Sequence, residues 1–156
     1  MPPVLDSLAP TGFTIDEAAH TIRFIRRFRA DRNQVFAAWT EPQHVCCWWD
    51  PTGRPLARCE IDLRVGGSFI FASSEHPMPF TGVYREIDRP VRLVFDAMGA
   101  EGRVTLDEVD GGTTMLVEII CPSAEHLAQF VKMGVAAGTS RTLDNLVAHL
   151  EGGAEV

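Results

Sequence analysis

The sequence predicts an α+β domain in which a curved antiparallel sheet of about seven strands wraps around one long C-terminal helix. Three observations lead to this fold class. Apolar and polar residues alternate with a period of two through most of residues 21–119, which is typical of half-buried strands. A helical period replaces the alternation after Pro122. Between the first two strands, all three tryptophans fall within residues 39–49, in a segment that predicts two short helices.

The length and the charge of the chain limit what the protein can be. A chain of 156 residues fits a single domain, which we place at residues 13–152 between an extended tail at 1–12 and a short tail at 153–156. The chain has 21 acidic residues against 14 Lys and Arg, a net charge of −7, which argues against nucleic acid as a partner. The first residues lack the features of a signal peptide, and no run of eighteen apolar residues occurs. We therefore expect a cytoplasmic protein without membrane insertion.

The first strand is predicted at Thr21–Arg29. Apolar side chains alternate there with arginines, and a solvated strand face explains most of the basic residues. Arg26 is the exception, because its side chain belongs to the apolar face. We expect it to reach a carboxylate inside the fold.

The segment from Val35 to Pro51, called here the tryptophan clasp, is the richest in aromatic residues. Asp31 is placed to cap a first helix, and Pro42 both ends that helix and begins a second one. The turn predicted at residues 50–53 returns the chain to extended structure. Such a cluster of tryptophans fits two interpretations, a plain core seam or the wall of an apolar cavity.

The remaining strands are separated by turn signals. We expect strands at 54–65, 68–73, 80–87, 92–98, around 104–106 and around 115–119, with a turn at 99–102. Gly66-Gly67 predicts a two-residue hairpin with positive φ, held locally by Asp62 and Arg64, and Asp110-Gly111-Gly112 predicts a second tight hairpin.

The C-terminal helix is predicted to run from about residue 123 to residue 152. Gly134 and Gly138 lie one turn apart within it, and each is unfavourable in a helix interior. They therefore indicate either a kink or a close approach by the sheet or by a ligand. His126, near the start, fits either a cavity wall or a partly exposed first turn.

The four cysteines indicate no specific redox or metal-binding motif. They are Cys46, Cys47, Cys59 and Cys121, and they contain no CxxC pair. Reduced and mostly buried thiols are expected, although a reactive thiol at Cys46 or Cys47 stays open. His44-x-Cys46 is half of a metal-binding pattern without a second half, so no metal and no cofactor are expected.

The motifs together resemble a known superfamily. They are the run RxFxAxxxxVFxAWTxPxxxxxWW ending at Trp49, then DxRxGGxF at 62–69, GxYxEI at 82–87, LVF at 93–95 and LDxL at 143–146. This combination is similar to the START-like (SRPBCC) superfamily, and more narrowly to the branch of the activator of heat shock protein 90 ATPase homologues. The resemblance covers nearly the whole chain and implies the helix-grip fold, with a ligand cavity between the sheet and the long helix. It does not fix a function, because that superfamily includes lipid carriers, hormone receptors and polyketide cyclases.

The leading functional hypothesis is a protein that binds a small hydrophobic molecule in that cavity. The proposed ligand-binding residues are Trp39, Trp48, Trp49, Phe69, Phe71, Tyr84, Phe95, Phe130 and Gly134.

Two further hypotheses stay open. A cyclase or dehydratase would use Tyr84, Glu86, Asp50 or His126 to move protons. The family name suggests a modulator of a chaperone ATPase, with a chaperone as partner, and a homodimer is also left open.

Overall fold

The computed structural model describes residues 12–74 and 78–153 as an α+β domain with a helix-grip arrangement, as the sequence predicts. The predicted tail at 1–12 lies almost wholly outside the described residues, as does most of the tail at 153–156. The strands are β1 (Thr14–Asp16), β2 (Thr21–Phe28), β3 (Arg58–Ile61), β4 (Ser68–Ala72), β5 (Phe80–Asp88), β6 (Arg92–Ala97), β7 (Ala100–Val109) and β8 (Gly112–Ile120). The helices are α1 (Arg32–Thr40), α2 (Pro42–Trp48), α3 (Ala124–Lys132) and α4 (Val135–Gly153).

All described strands form one antiparallel sheet in the order β1-β2-β8-β7-β6-β5-β4-β3. Consecutive strands from β3 to β8 are neighbours, and β2 closes onto β8 with Phe24 opposite Val117. The sheet has eight strands where the sequence predicts about seven. The additional strand, β1, has only three residues, which is too short for an alternating pattern to reveal.

The two helices of the clasp begin and end as predicted. The Asp31 side chain accepts a hydrogen bond from the Gln34 backbone N–H, and the Gln34 side chain accepts one from the Asp31 N–H, which completes a capping box. Pro42 occupies the first turn of α2. The turn after α2 also forms as predicted, because the Gly53 N–H donates to the Asp50 carbonyl at 2.8 Å.

The loop before β4 differs from its prediction. The strand predicted at 54–65 extends only over Arg58–Ile61, and residues 62–67 form a longer connection in place of the expected two-residue hairpin. Gly66 has a φ of +87°, but Gly67 is not in the left-handed region. Gly67 is required for another reason, because a Cβ there would lie 2.1 Å from the Asp62 carbonyl oxygen. The local contact predicted between Asp62 and Arg64 forms, with Nε to Oδ2 at 2.9 Å.

The turns further along are partly as predicted. Asp110 and Gly111, with φ values of +49° and +81°, connect β7 to β8 in the tight hairpin that the sequence indicates. The turn predicted at 99–102 was placed about two residues too late in the chain. Met98 and Gly99 form it with φ values of +55° and +78°, and β7 already begins at Ala100.

The long C-terminal helix is two helices rather than one. The chain breaks at Met133 and Gly134, where Gly134 has a φ of +82°. The kink that the two glycines indicate is therefore confirmed at Gly134 and absent at Gly138, which lies inside α4. A Cβ at either glycine would meet nothing within 4 Å, so a close approach by the sheet is wrong for the described residues, whereas an approach by a ligand stays a prediction.

Arg26 joins the sheet to α4. Its side chain is 10% exposed and its Nε lies 2.9 Å from Asp144 Oδ1, so Arg26 does reach a carboxylate. The Asp144 side chain is 67% exposed, so the expectation that this carboxylate lies inside the fold is wrong. The same guanidinium donates to the Ser140 hydroxyl and to the Gly12 carbonyl, both at 2.9 Å. This bridge attaches α4 to β2. The strands β4 to β6, which carry the aromatic cluster described below, lie in the other half of the sheet.

Candidate functional site: an aromatic chamber

A cluster of aromatic rings lines a small void between the sheet and the clasp. We call it the aromatic chamber and define it by its lining residues, Trp39, Trp49, Phe69, Phe71, Tyr84, Leu93 and Phe95. Its volume is about 10 Å³, close to the minimum that accommodates one water molecule. The chamber is therefore nearly filled by its own side chains.

Two glycines shape the sheet side of the chamber. Phe69 lies opposite Gly82 on the neighbouring strand, and a Cβ at Gly82 would be 2.3 Å from the Phe69 ring. Phe95 lies opposite Gly102, and a Cβ there would be 2.5 Å from the Phe95 ring. Because glycine has no side chain, both rings lie directly against the backbone of the next strand. The sheet surface beneath the chamber is therefore apolar and consists of rings packed on backbone.

Trp49 covers the chamber from the clasp side. Its ring centroid lies 4.9 Å from that of Phe71 and 5.0 Å from that of Phe80, within the range of favourable aromatic pairs. Trp49 and Phe80 are both partly exposed, whereas Phe69 and Phe71 are buried. Trp49 therefore lies on the clasp side of the chamber, at an edge that solvent partly reaches.

The other two tryptophans have structural roles. Trp48 is fully buried and donates its indole N–H to the Ala38 carbonyl at 2.9 Å. The Trp39 indole N–H points at the Met115 sulfur at 3.3 Å, and its ring packs 4.9 Å from Trp48. Trp48 therefore supports the chamber from behind without lining it, while Trp39 both lines it and fixes α1 to β8.

Side chains of α4 hold the end of the clasp in place. The Thr142 hydroxyl donates to the Trp49 carbonyl at 3.1 Å. The Asn145 amide donates to the Asp50 carbonyl at 3.0 Å. These bonds attach the covering segment to α4 through its backbone and leave the Trp49 ring facing the chamber.

The candidate residues predicted from sequence are only partly brought together. Trp39, Trp49, Phe69, Phe71, Tyr84 and Phe95 line the chamber. Phe130 is buried on α3 beside His126, and Gly134 is exposed at the helix break, so neither residue reaches the chamber.

The polar candidates are scattered. Glu86 points outward and pairs with Arg92 at 3.2 Å. Asp50 accepts the Thr52 N–H and hydroxyl, both at 2.9 Å, inside the turn after α2. His126 lies on α3 against Phe130, and its Nε2 is buried without a hydrogen-bond partner among the described residues. Of the four proton-transfer candidates, Tyr84 is the one that the chamber contains.

Sequence reasoning missed Phe80, Leu93 and the polar contacts from α4. Phe80 follows a proline-rich loop, and Leu93 reads as ordinary strand core, so no pattern singles them out. A signal for α4 was present, because Thr142, Asn145 and His149 recur at helical spacing and form a polar stripe beside the apolar one.

The thiols and the phenol near the chamber are neutral at physiological pH. Burial raises the pKa of Cys59 to about 11, with a smaller contribution from Cys46. Burial likewise raises the pKa of Tyr84 and, on the clasp, that of Cys47. A raised pKa disfavours the thiolate and the phenolate, so these groups are poor nucleophiles and poor bases near pH 7.

Two larger surface grooves lie away from the chamber. One, of about 430 Å³, lies between β1 and α3 and is lined by Ile15, Glu17, Ala124, Leu127, Ala128, Val131 and Lys132. The other, of about 250 Å³, lies at the β7–β8 hairpin beside the end of β2. Within residues 12–74 and 78–153, no three His, Cys, Asp or Glu side chains are grouped to hold a metal ion. None of the helices described is both long and apolar enough to cross a bilayer.

Solved structures share this architecture. Protein Ms6760 from Mycobacterium smegmatis superposes with a TM-score of 0.78 at 22% identity, over 90% of this chain and 97% of that chain. Protein NE0264 from Nitrosomonas europaea gives 0.79 at 21% identity, over 91% of this chain and 100% of that one. An AHSA1-like protein from Aeromonas hydrophila gives 0.73 at 24% identity, over 86% and 94%. Identities of this size establish a common fold and nothing finer.

The sequence comparisons agree with the fold. No curated protein matches the chain. The family model described as "Activator of Hsp90 ATPase homolog 1-like protein" matches residues 29–151, which include the whole clasp and the whole chamber. The START-like resemblance read from the motifs is thereby confirmed. Because this model spans most of the sequence, the chain belongs to the family of Activator of Hsp90 ATPase homolog 1-like proteins.

Proposed function

We propose that the protein binds a small, flat, hydrophobic molecule in the aromatic chamber. The observation that carries the proposal is the concentration of six aromatic rings around one void, beneath a partly exposed tryptophan. Trp49 and Phe95, two rings that border this void, are partly exposed, so solvent reaches the edge of the chamber. Concave sites lined by aromatic residues are typical of small-molecule binding.

The ligand would enter by displacing Trp49. The void of about 10 Å³ is too small for an organic molecule in the closed state. Trp49 directly follows the short helix α2, so the covering ring can swing outward while Trp48 keeps its buried contacts. A flat ligand would then replace the ring contacts that Trp49 gives up with Phe71 and Phe80, at 4.9 and 5.0 Å. The ligand would keep Phe71 and Phe80 covered, and the burial of its own apolar surface would offset the exposure of the displaced Trp49 ring.

The lining restricts the chemistry of the ligand. Tyr84 contributes the hydroxyl group of the chamber, and its raised pKa keeps that group protonated. A ligand with an aromatic body and one hydrogen-bonding group directed at Tyr84 would satisfy both features. An anionic ligand would be disfavoured, because no Lys or Arg side chain lines the void.

A fluorescent apolar probe tests the proposal. N-phenyl-1-naphthylamine should bind with enhanced fluorescence and quench tryptophan emission. We expect Phe95→Leu to weaken binding by about three- to tenfold, since an aromatic contact contributes about 0.5–1.5 kcal/mol beyond its area. Phe130→Leu is the matched control, because it makes the same chemical change in a buried ring that does not line the chamber.

The comparison of these two variants decides the outcome. Equal affinities of the wild type, Phe95→Leu and Phe130→Leu would place the probe elsewhere on the protein. A larger loss with Phe130→Leu than with Phe95→Leu would contradict the proposed site directly. Far-UV circular dichroism of all three proteins checks that the fold is unchanged.

A further inference from the structure

Three side chains on one face of α4 hold the covering segment of the chamber. Thr142 and Asn145 bond the backbone at Trp49 and Asp50, and His149, one turn beyond Asn145, contacts His44 of α2. Spacings of three and four residues place all three side chains along one line of the helix. The first two contacts do not titrate in the physiological range, whereas the histidine pair does.

The histidine pair depends on its protonation state. His44 Nδ1 lies 3.0 Å from His149 Nε2, and the ring centroids are 5.2 Å apart. A hydrogen bond between these atoms needs one nitrogen to donate and the other to accept. The pair can satisfy this condition with no added proton or with one. With two added protons, both nitrogens carry hydrogen and both rings are cationic, so the contact must break.

Three carboxylates lie on the elements that carry the histidine pair. Glu41, at the start of α2, places Oε1 3.8 Å from His44 Nε2, the ring nitrogen that points away from His149. On α4, Glu151 is engaged by Arg29 from the end of β2, with its Oε2 accepting the Arg29 N–H at 2.8 Å. Asp144 is engaged by Arg26 at 2.9 Å. Glu41 is thus the carboxylate that lies beside the pair, whereas Asp144 and Glu151 are engaged by the two arginines.

The local environment of His149 disfavours a cation on its ring. Burial, and secondarily the neighbouring His44, lower the pKa of His149 below the usual value for histidine. The second proton is therefore harder to add than a proton on an ordinary histidine.

We propose that the His44–His149 contact is a proton-sensitive latch on the aromatic chamber, closed at neutral pH and released in mild acid. The proposal rests on the function proposed above, because it concerns access to the same chamber. Above the usual histidine pKa the pair is bonded and Trp49 is held over the void. As the pH falls through the lowered pKa of His149, the contact breaks, and Thr142 and Asn145 are left to join α4 to the end of the clasp. Ligand entry and release are then faster in acid.

Tryptophan accessibility measures the latch without any ligand. We expect the acrylamide quenching constant of the wild type to rise about twofold between about pH 7.5 and about pH 5. His149→Gln and His44→Gln should each abolish this rise, because the amide can bond the remaining imidazole but carries no charge. His20→Asn is the control, since His20 lies in the β1–β2 turn with a φ of +54°, which asparagine tolerates. It should keep the full response.

Probe kinetics separate the two proposals. N-phenyl-1-naphthylamine should associate faster at about pH 5 than at about pH 7.5 in the wild type and at one rate in both glutamine variants. Probe binding with a pH response that the glutamine variants retain would overturn the latch and leave the chamber intact. A quenching response that both glutamine variants lose, without any probe binding, would support the latch and contradict the ligand-binding function. An unchanged quenching constant in the wild type would overturn the latch.

Discussion

Gly66 and Gly67 stand side by side in the loop before β4, and the backbone constrains them in different ways. Gly66 has a φ of +87°, and a Cβ there would meet nothing within 4 Å. Glycine is therefore favoured at this position by the backbone dihedral and not by lack of space. Gly67 is not in the left-handed region, but its Cβ would overlap the Asp62 carbonyl oxygen. The sequence identified the glycine pair correctly and assigned both residues the same reason, because a composition pattern cannot distinguish a turn dihedral from a close approach.

Asparagine separates these two reasons. Gly66→Asn should leave the free energy of unfolding within about 0.5 kcal/mol of wild type, since asparagine tolerates the left-handed region. Gly67→Asn should lower it by about 1–3 kcal/mol, because the overlap with backbone can be relieved only by moving the loop. Urea unfolding of both variants measures the difference. Equal stabilities would mean that the loop adapts to a side chain at residue 67.

At the scale of elements, the break between α3 and α4 changes what the two helical glycines mean. Gly134 ends α3 in the left-handed conformation that commonly follows a helix, and Gly138 donates its N–H to the Gly134 carbonyl in the first turn of α4. Helical periodicity continues through the break, because Phe130, Val135 and Leu143 all pack in or against the hydrophobic core. For that reason the sequence predicts one helix where the structure has two.

Alanine should have opposite effects at these two glycines. Gly134→Ala should lower the free energy of unfolding by about 1–2 kcal/mol, because an L-residue at a φ of +82° is strained. Gly138→Ala should raise it by about 0.5–1 kcal/mol, since its Cβ meets open space in a helix interior. Thermal unfolding of the two variants checks the signs. Stabilisation by both substitutions would indicate one continuous helix.

At the scale of the whole molecule, periodicity and turn residues were enough to predict the fold but not the candidate site. Alternation located most strands, and Arg26 was singled out as an inward cation that needed a carboxylate, which Asp144 supplies. The volume of the chamber was not predictable, because it depends on how closely the rings approach and on two glycines that let Phe69 and Phe95 settle onto the sheet. Nor does any local pattern pair His44 with His149, which are 105 residues apart in the chain.

The central claim is that the aromatic chamber, although nearly filled by its own side chains, is the ligand site, rather than the larger groove between β1 and α3. A crystal structure of the complex with N-phenyl-1-naphthylamine tests it most directly. We predict the probe between Phe71 and Phe95, with the Trp49 ring displaced outward and the contacts of Trp48 unchanged. A probe bound against Ile15 and Val131 in the groove of about 430 Å³, with Trp49 still over Phe71, would contradict the account.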